Sequence, residues 1–306
     1  MHGEKLTRGL MWLGVRLVLL AAGFAAVVGA VYLLGQWLVP LVTPLDRALL
    51  GAINPGTPVP FLDPFMRAVT DYSNFVIAAP LISWMVVYGL YRLVRRWKPF
   101  FTGVLAVNAA VFVVLCALGY IWPNRTYFTA NVLLAIMTGA TFSAAAYAFH
   151  RMDRPAMARF AGVFGLVLLS TLANQFLATN PIKEAIGRPR PLNAAHAPWN
   201  DGVRIIPEEE LRGQNSYPSG HTSGTFALLT PIFWYTRRRS ARAGLLGWSV
   251  LQGVSRVYTA AHFPFDVLIG GLLGFSFGTL VFFCLGGPRL RGREAEAPTG
   301  TPPAAP

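Results

Sequence analysis

The stretch Leu17–Val39, LVLLAAGFAAVVGAVYLLGQWLV, runs 23 residues without a charged side chain. A bilayer hydrocarbon core takes roughly 20 apolar helical residues to cross, so this run is long enough to span one. Similar charge-free runs follow at Ser73–Tyr91, Pro99–Pro123, Thr126–Phe149, Phe160–Ile182 and Val267–Leu285. Two weaker ones complete the series: Ser219–Thr236 is short and holds Pro231, and Ala243–Tyr258 is interrupted by Arg256. The pattern predicts an all-α fold, a polytopic transmembrane helical bundle of about eight spans.

Composition agrees. Of 306 residues, 54% are hydrophobic and only 13% charged, with a mean hydropathy of +0.48. Disorder needs low hydrophobicity, which excludes an unfolded chain. The net charge of +13 would suit a nucleic-acid binder, but no long basic stretch or large polar surface exists to carry it. A membrane protein with its charges held in loops remains. Cys116 and Cys284 both lie in apolar runs, which argues against a disulfide framework or a cysteine zinc site.

The basic residues set the topology. With the N-terminus in the cytoplasm, 17 of the 26 Lys and Arg fall on inside segments and nine outside. The outside loops are also the longer ones, so the asymmetry is that of the positive-inside rule. It places both termini in the cytoplasm. The first apolar run is too long for a signal-peptide core and reads as a retained anchor helix. Residues 40–72 are proline-rich and predict an interfacial outside loop with short helices; residues 183–217 form a long polar loop on the same side. The tail after Gly286, rich in Pro, Ala and Gly, predicts disorder.

Some ionisable groups lie where the membrane makes them costly. Lys183, Arg188, Arg190 and Arg256 all fall at or beside span ends on the outer side, and such groups are functional hypotheses by default. Cations gathered there call for an anion. His221 follows Tyr217-Pro218-Ser219-Gly220 at a helix start, where free N–H groups and the helix dipole attract anions. His262 precedes Asp266 by four residues, so the two can share a helix face and the carboxylate can hydrogen-bond Nδ1–H. Two histidines, several cations and an anion-binding helix start make a phosphate site, one imidazole as nucleophile and the other as general acid. His2, His150 and His196 need no role beyond a polar interface or loop.

These residues resemble the signatures of the type 2 phosphatidic acid phosphatases. Lys183, six residues, then Arg190-Pro191 is similar to the first; Pro218-Ser219-Gly220-His221 to the second; Ser255-Arg256, five residues, His262, three residues, Asp266 to the third. The resemblance covers roughly residues 160–285 and implies metal-independent phosphoryl transfer without a cofactor. It implies His262 as the nucleophile that becomes phosphohistidine, Asp266 as its orienting group and His221 as the acid on the leaving oxygen. Lys183, Arg190, Arg256, Ser219 and Gly220 are implied to bind the phosphoryl oxygens, and Arg188 falls in the variable stretch of the first signature. The family core has six spans, so the resemblance implies N-terminal spans over 1–98, an added hairpin over 99–150, a catalytic core over 151–285 and a tail over 286–306.

A site at the outer membrane surface selects a lipid substrate embedded in the bilayer. Phosphatidic acid, phosphatidylglycerol phosphate, a polyprenyl diphosphate such as undecaprenyl diphosphate, and a phosphorylated glycolipid all fit, and nucleic acid does not. A phosphotransferase passing the group to another lipid uses the same histidine; a transporter or scaffold would not need both His221 and His262.

Overall fold

The structure, a computed structural model, describes residues 2–72, 128–191 and 215–290. Helix α1 runs His2–Ile53, α2 Leu62–Tyr72 and α3 Phe128–Arg151. Helix α4, Arg154–Ala173, passes through a π turn at Asn174–Thr179 into α5, Asn180–Ile186. Helices α6 (Gly220–Tyr235), α7 (Arg239–Tyr258) and α8 (Pro264–Cys284) complete the bundle. Among the described residues there is no strand. Among the described residues, three helical stretches are long and apolar enough to cross a membrane: Leu10–Ile53, Pro155–Ile186 and Pro264–Cys284. Their length and composition support an integral membrane protein. Two expected spans, Ser73–Tyr91 and Pro99–Pro123, lie outside the described residues, as do most of the 183–217 loop and the tail beyond residue 290.

One expectation fails. Residues 40–53 are not loop: α1 continues through Pro40 and Pro44 to Ile53. Each proline removes one intrahelical N–H donor, but long membrane helices tolerate this where local groups re-satisfy the backbone. Between the two prolines the Thr43 hydroxyl donates to the Val39 carbonyl at 2.6 Å, adding a local bond to the helix there. The extension carries Asp46, buried to 3% exposure, to the end of the bundle where the other functional elements converge.

The tightest packing is between α6 and α8. Gly270, Gly274 and Gly278 recur every fourth residue and so share one face of α8. A Cβ added at Gly274 would stand 2.0 Å from the Ser223 carbonyl oxygen, one at Gly270 2.7 Å from that of Ser219, and one at Gly278 2.5 Å from Thr230 Cβ. The two backbones therefore touch, as small residues allow between membrane helices. Ser170 Oγ on α4 donates to the Ala227 carbonyl at 2.7 Å, tying a third helix to α6. On the other flank Phe24 of α1 stacks on Phe277 of α8 at 4.2 Å between ring centroids. This core holds Val31, Ala173, Ala178, Ile182, Ile269 and Leu273.

Gly274→Ala should lower the melting temperature of the purified protein in detergent, by an overpacking cost of roughly 1–3 kcal/mol. Gly247→Ala on α7, where an added Cβ meets nothing within 4 Å, should leave it unchanged or raise it. Equal shifts in the two variants would refute the backbone contact.

Candidate active site

Five element ends meet at one end of the bundle: the last turns of α1, α5 and α7 and the first turns of α6 and α8. Local sequence explains each. Gly187 ends α5 in the left-handed conformation, φ 62°, with its N–H on the Lys183 carbonyl at 3.0 Å; a left-handed cap favours glycine. The chain then turns inward so that the Arg188 carbonyl accepts from Ser216 N at 2.7 Å. Ser219 caps α6 in extended conformation, and its N–H reaches the Asp266 carbonyl at 2.9 Å. The α7–α8 turn passes through Ala260 at φ 54°, an uncommon conformation for a residue with a Cβ. That reversal lets both Ala261 N and His262 N donate to the Arg256 carbonyl, at 2.9 and 3.1 Å. Arg256 and His262 are thereby held on the same turn.

All eight residues singled out from the sequence fall in the described part, and the fold gathers them. The Lys183 Cε lies 3.4 Å from where a Gly220 Cβ would sit. Its Nζ donates to the Asn215 carbonyl at 2.7 Å. Lys183, Arg190 and Arg256 stand close enough for their charges to act on both His221 and His262, and His262 in turn acts on His221. Ser219 is fully buried, its hydroxyl 3.0 Å from that of Thr222. The Arg190 Nε is buried with no acceptor among the described residues. Burial first, then the charges of Lys183, Arg190 and Arg256, holds the His262 imidazole well below its ordinary value of 6.5. It is therefore neutral near pH 7 with a ring nitrogen available as a nucleophile.

The Asp266 carboxylate does not make the direct bond to His262 that the four-residue spacing suggested. His262 Nδ1 and Asp266 Oδ2 stand 3.9 Å apart, beyond hydrogen-bond range. Both oxygens are occupied elsewhere. Oδ1 takes Arg188 Nη1 at 2.6 Å; Oδ2 takes the Ser216 hydroxyl at 2.5 Å and the Phe263 N–H at 3.0 Å. The last of these belongs to the N-terminal cap of α8, which competes for the same oxygen.

Three more residues complete the cluster: Arg188, which the sequence marks as a span-end cation without a specified role, and Asp46 and Ser216, which it does not mark. Arg188, 4% exposed, bridges Asp266 and Asp46, reaching Asp46 Oδ2 with Nη2 at 2.8 Å, while its guanidinium lies 4.2 Å over the Phe263 ring. Asp46 also accepts from Phe265 N at 2.9 Å. Ser216, fully buried, sits between Asp266 and the His262 ring. A lone serine ahead of a proline carries no chemical signature, and Arg188 lies in a stretch of unspecified residues. Asp46 could be found only by continuing α1 through its prolines.

Comparison with known proteins fits this arrangement. Residues 164–288 match the family model described as PAP2 superfamily. Over 137 residues the chain is 36% identical to the probable lipid phosphate phosphatase 4 of Arabidopsis thaliana, covering 35% of this chain and 44% of that protein. Over 121 residues it is 27% identical to the lipid A 4'-phosphatase of Bacteroides thetaiotaomicron, covering 40% and 52%. The chain thus spans about half the length of these curated relatives. The crystal structure of Aquifex aeolicus LpxE aligns with a TM-score of 0.44 and 18% identity over 78% of this chain and 95% of that one. The family match begins within α4, ends just past α8 and takes in both histidines with their surrounding cations; over residues 164–288, this chain is similar to the PAP2 superfamily.

Proposed function

We propose that this protein is an integral-membrane phosphatase that removes a terminal phosphate from a lipid phosphate or diphosphate through a phosphohistidine, with no metal ion. The observation that carries the reading is the convergence of two imidazoles and three cations at one end of a membrane bundle. In the first step His262 Nε2 bonds to phosphorus as the P–O bond to the lipid breaks, and His221, charged once the bound phosphate offsets the cations that otherwise hold it low, gives its proton to the departing oxygen. In the second, water attacks phosphorus and passes a proton to His221 as the N–P bond breaks and phosphate leaves. Phosphoryl transfer places its charge on the equatorial oxygens, so catalysis is mostly positioning and electrostatics. Lys183, Arg190 and Arg256, with Ser219 and the Gly220 N–H, supply that charge complement, and Asp266 orients the nucleophile.

The position of the cluster supports a lipid as the substrate class. It lies at the ends of membrane-crossing helices, within reach of a phosphate at headgroup depth whose tails stay in the bilayer. Relatives named as a lipid phosphate phosphatase and a lipid A phosphatase support a lipid-borne phosphate. The candidates are phosphatidic acid, phosphatidylglycerol phosphate, a polyprenyl diphosphate and a phosphorylated glycolipid. The basic residues at the start of α4, in the α6–α7 turn and after α8 lie at the helix ends away from the cluster. That supports cytoplasmic termini and a site on the opposite face. Eight spans, with 99–150 as a hairpin added to the core 151–285, belong to the same proposal.

His262→Ala should abolish phosphate release in mixed micelles and prevent accumulation of an acid-labile phosphoenzyme; near-normal turnover would remove His262 as the nucleophile. Because kcat/KM reports the free enzyme, and burial and the cations keep the free His262 neutral, the acid limb of its pH profile should lie below 6.5; a limb above that value would contradict the neutral nucleophile. Excess EDTA should leave turnover unchanged, whereas strict magnesium dependence would overturn charge stabilisation by the three cations alone.

A further inference from the structure

The carboxylate of Asp266 is pinned from three directions. Arg188 holds Oδ1 at 2.6 Å, and the Ser216 hydroxyl and Phe263 N–H hold Oδ2 at 2.5 and 3.0 Å. Arg188 is itself fixed by Asp46 at 2.8 Å and by the Phe263 ring. The carboxylate is not free to swing across the 3.9 Å that separates it from His262 Nδ1. The side chain that does face Nδ1 is Ser216, its Oγ 3.3 Å away. Ser216, His262 and Asp266 are all buried to 1% exposure or less, so no bulk solvent competes for these bonds.

The direction of the bonds follows from their chemistry. A carboxylate facing a guanidinium has no hydrogen to give, so the hydrogen between Oγ and Oδ2 belongs to the serine. A serine hydroxyl has one hydrogen, and once that is donated its oxygen can only accept. The hydrogen toward His262 must then come from the ring, on Nδ1. We infer that Ser216 is a positioning residue interposed between Asp266 and His262, accepting the Nδ1–H and so keeping Nε2 unprotonated for attack. This inference rests on the proposed role of His262 and adds a relay: Asp266 acts on the nucleophile through a serine, and the Arg188–Asp46 pair holds the relay to α1. The backbone of Ser216 is fixed as well, its N–H on the Arg188 carbonyl at 2.7 Å, so the hydroxyl is not free to drift from the ring.

The test is nitrogen NMR of the full chain in detergent micelles with labelled histidine, the His262 signals assigned by their loss in His262→Ala. The wild type should carry its neutral-state proton on Nδ1. Ser216→Ala and the nearly isosteric Ser216→Cys should mix the two tautomers, and Ser216→Thr, which keeps the hydroxyl, should restore the wild-type signal. Loss of the acceptor also removes support for the imidazolium, so the titration of His262 should move to lower pH in the alanine and cysteine variants. Turnover of phosphatidic acid micelles should fall about 10- to 100-fold in those two, the range found for partners that orient metal-bound imidazoles, with KM within about twofold because the hydroxyl does not face the phosphate cations. A proton on Nε2 in the wild type, or an unchanged tautomer in either variant, would overturn the relay. The two readings separate cleanly. If His262→Ala keeps its activity while the tautomer responds to Ser216, the relay stands and the phosphohistidine falls; if His262→Ala is inactive and the tautomer is indifferent to Ser216, the reverse holds.

Discussion

The contact between the backbones of α6 and α8 is the constraint on which the cluster depends. His221 stands in the first turn of one helix and His262 just ahead of the other. Their separation is set by how closely those helices approach. Glycines at 270, 274 and 278 remove every Cβ that would hold the helices apart, and Ser219 N then reaches the Asp266 carbonyl. In lipid there is little hydrophobic drive to bring helices together, so van der Waals contact of this kind carries more of the association. Polar ties reinforce it from the side: Asn174 on the π turn donates to Ser223 Oγ at 3.1 Å, and Thr179 pairs with the same hydroxyl at 3.0 Å. A π turn marks strain in the i→i−4 ladder and is frequent beside functional sites; this one puts Thr179 and Lys183 against Gly220.

Collecting Lys183, Arg190 and Arg256 in one low-dielectric region costs free energy, because burial and like charge both oppose it. The fold offsets part of that cost with two carboxylates. Asp46 and Asp266 share Arg188, leaving the trio with a net negative charge beside the cations. The paired groups contribute through what their loss would expose: breaking a buried ion pair by removing one partner is far more harmful than the pair is stabilising. The same trio joins three stretches far apart in sequence, the end of α1, the loop after α5 and the first turn of α8. It is at once an electrostatic counterweight and a mechanical tie.

What could be read from the sequence follows the chemistry of single side chains. Histidines, lysine and arginines at span ends stand out because a membrane makes them expensive, and their spacing marks three ordered blocks. The long apolar runs predict helices, and α4, α6, α7 and α8 lie close to their expected places. What the sequence concealed are relations between side chains and the tolerance of backbone. Pro40 and Pro44 read as terminators because in water they would be; α1 runs through them. Asp46 therefore reads as a loop acid instead of the partner of Arg188. The spacing of His262 and Asp266 is compatible with a direct bond, but it cannot reveal that Arg188, Phe263 N and Ser216 have already claimed the carboxylate. The four-residue recurrence of glycine on α8 is visible in the letters, yet its meaning depends on which helix lies against it.

One consequence of the crowding on Asp266 concerns how its loss would be interpreted. The carboxylate simultaneously finishes the α8 cap, neutralises Arg188 and steadies a hydroxyl. Loss of function with asparagine at that position would confound three defects, of helix start, of inter-helix tethering and of ring orientation. The serine one contact away touches only the last of these through its side chain, which makes it the cleaner dissecting point.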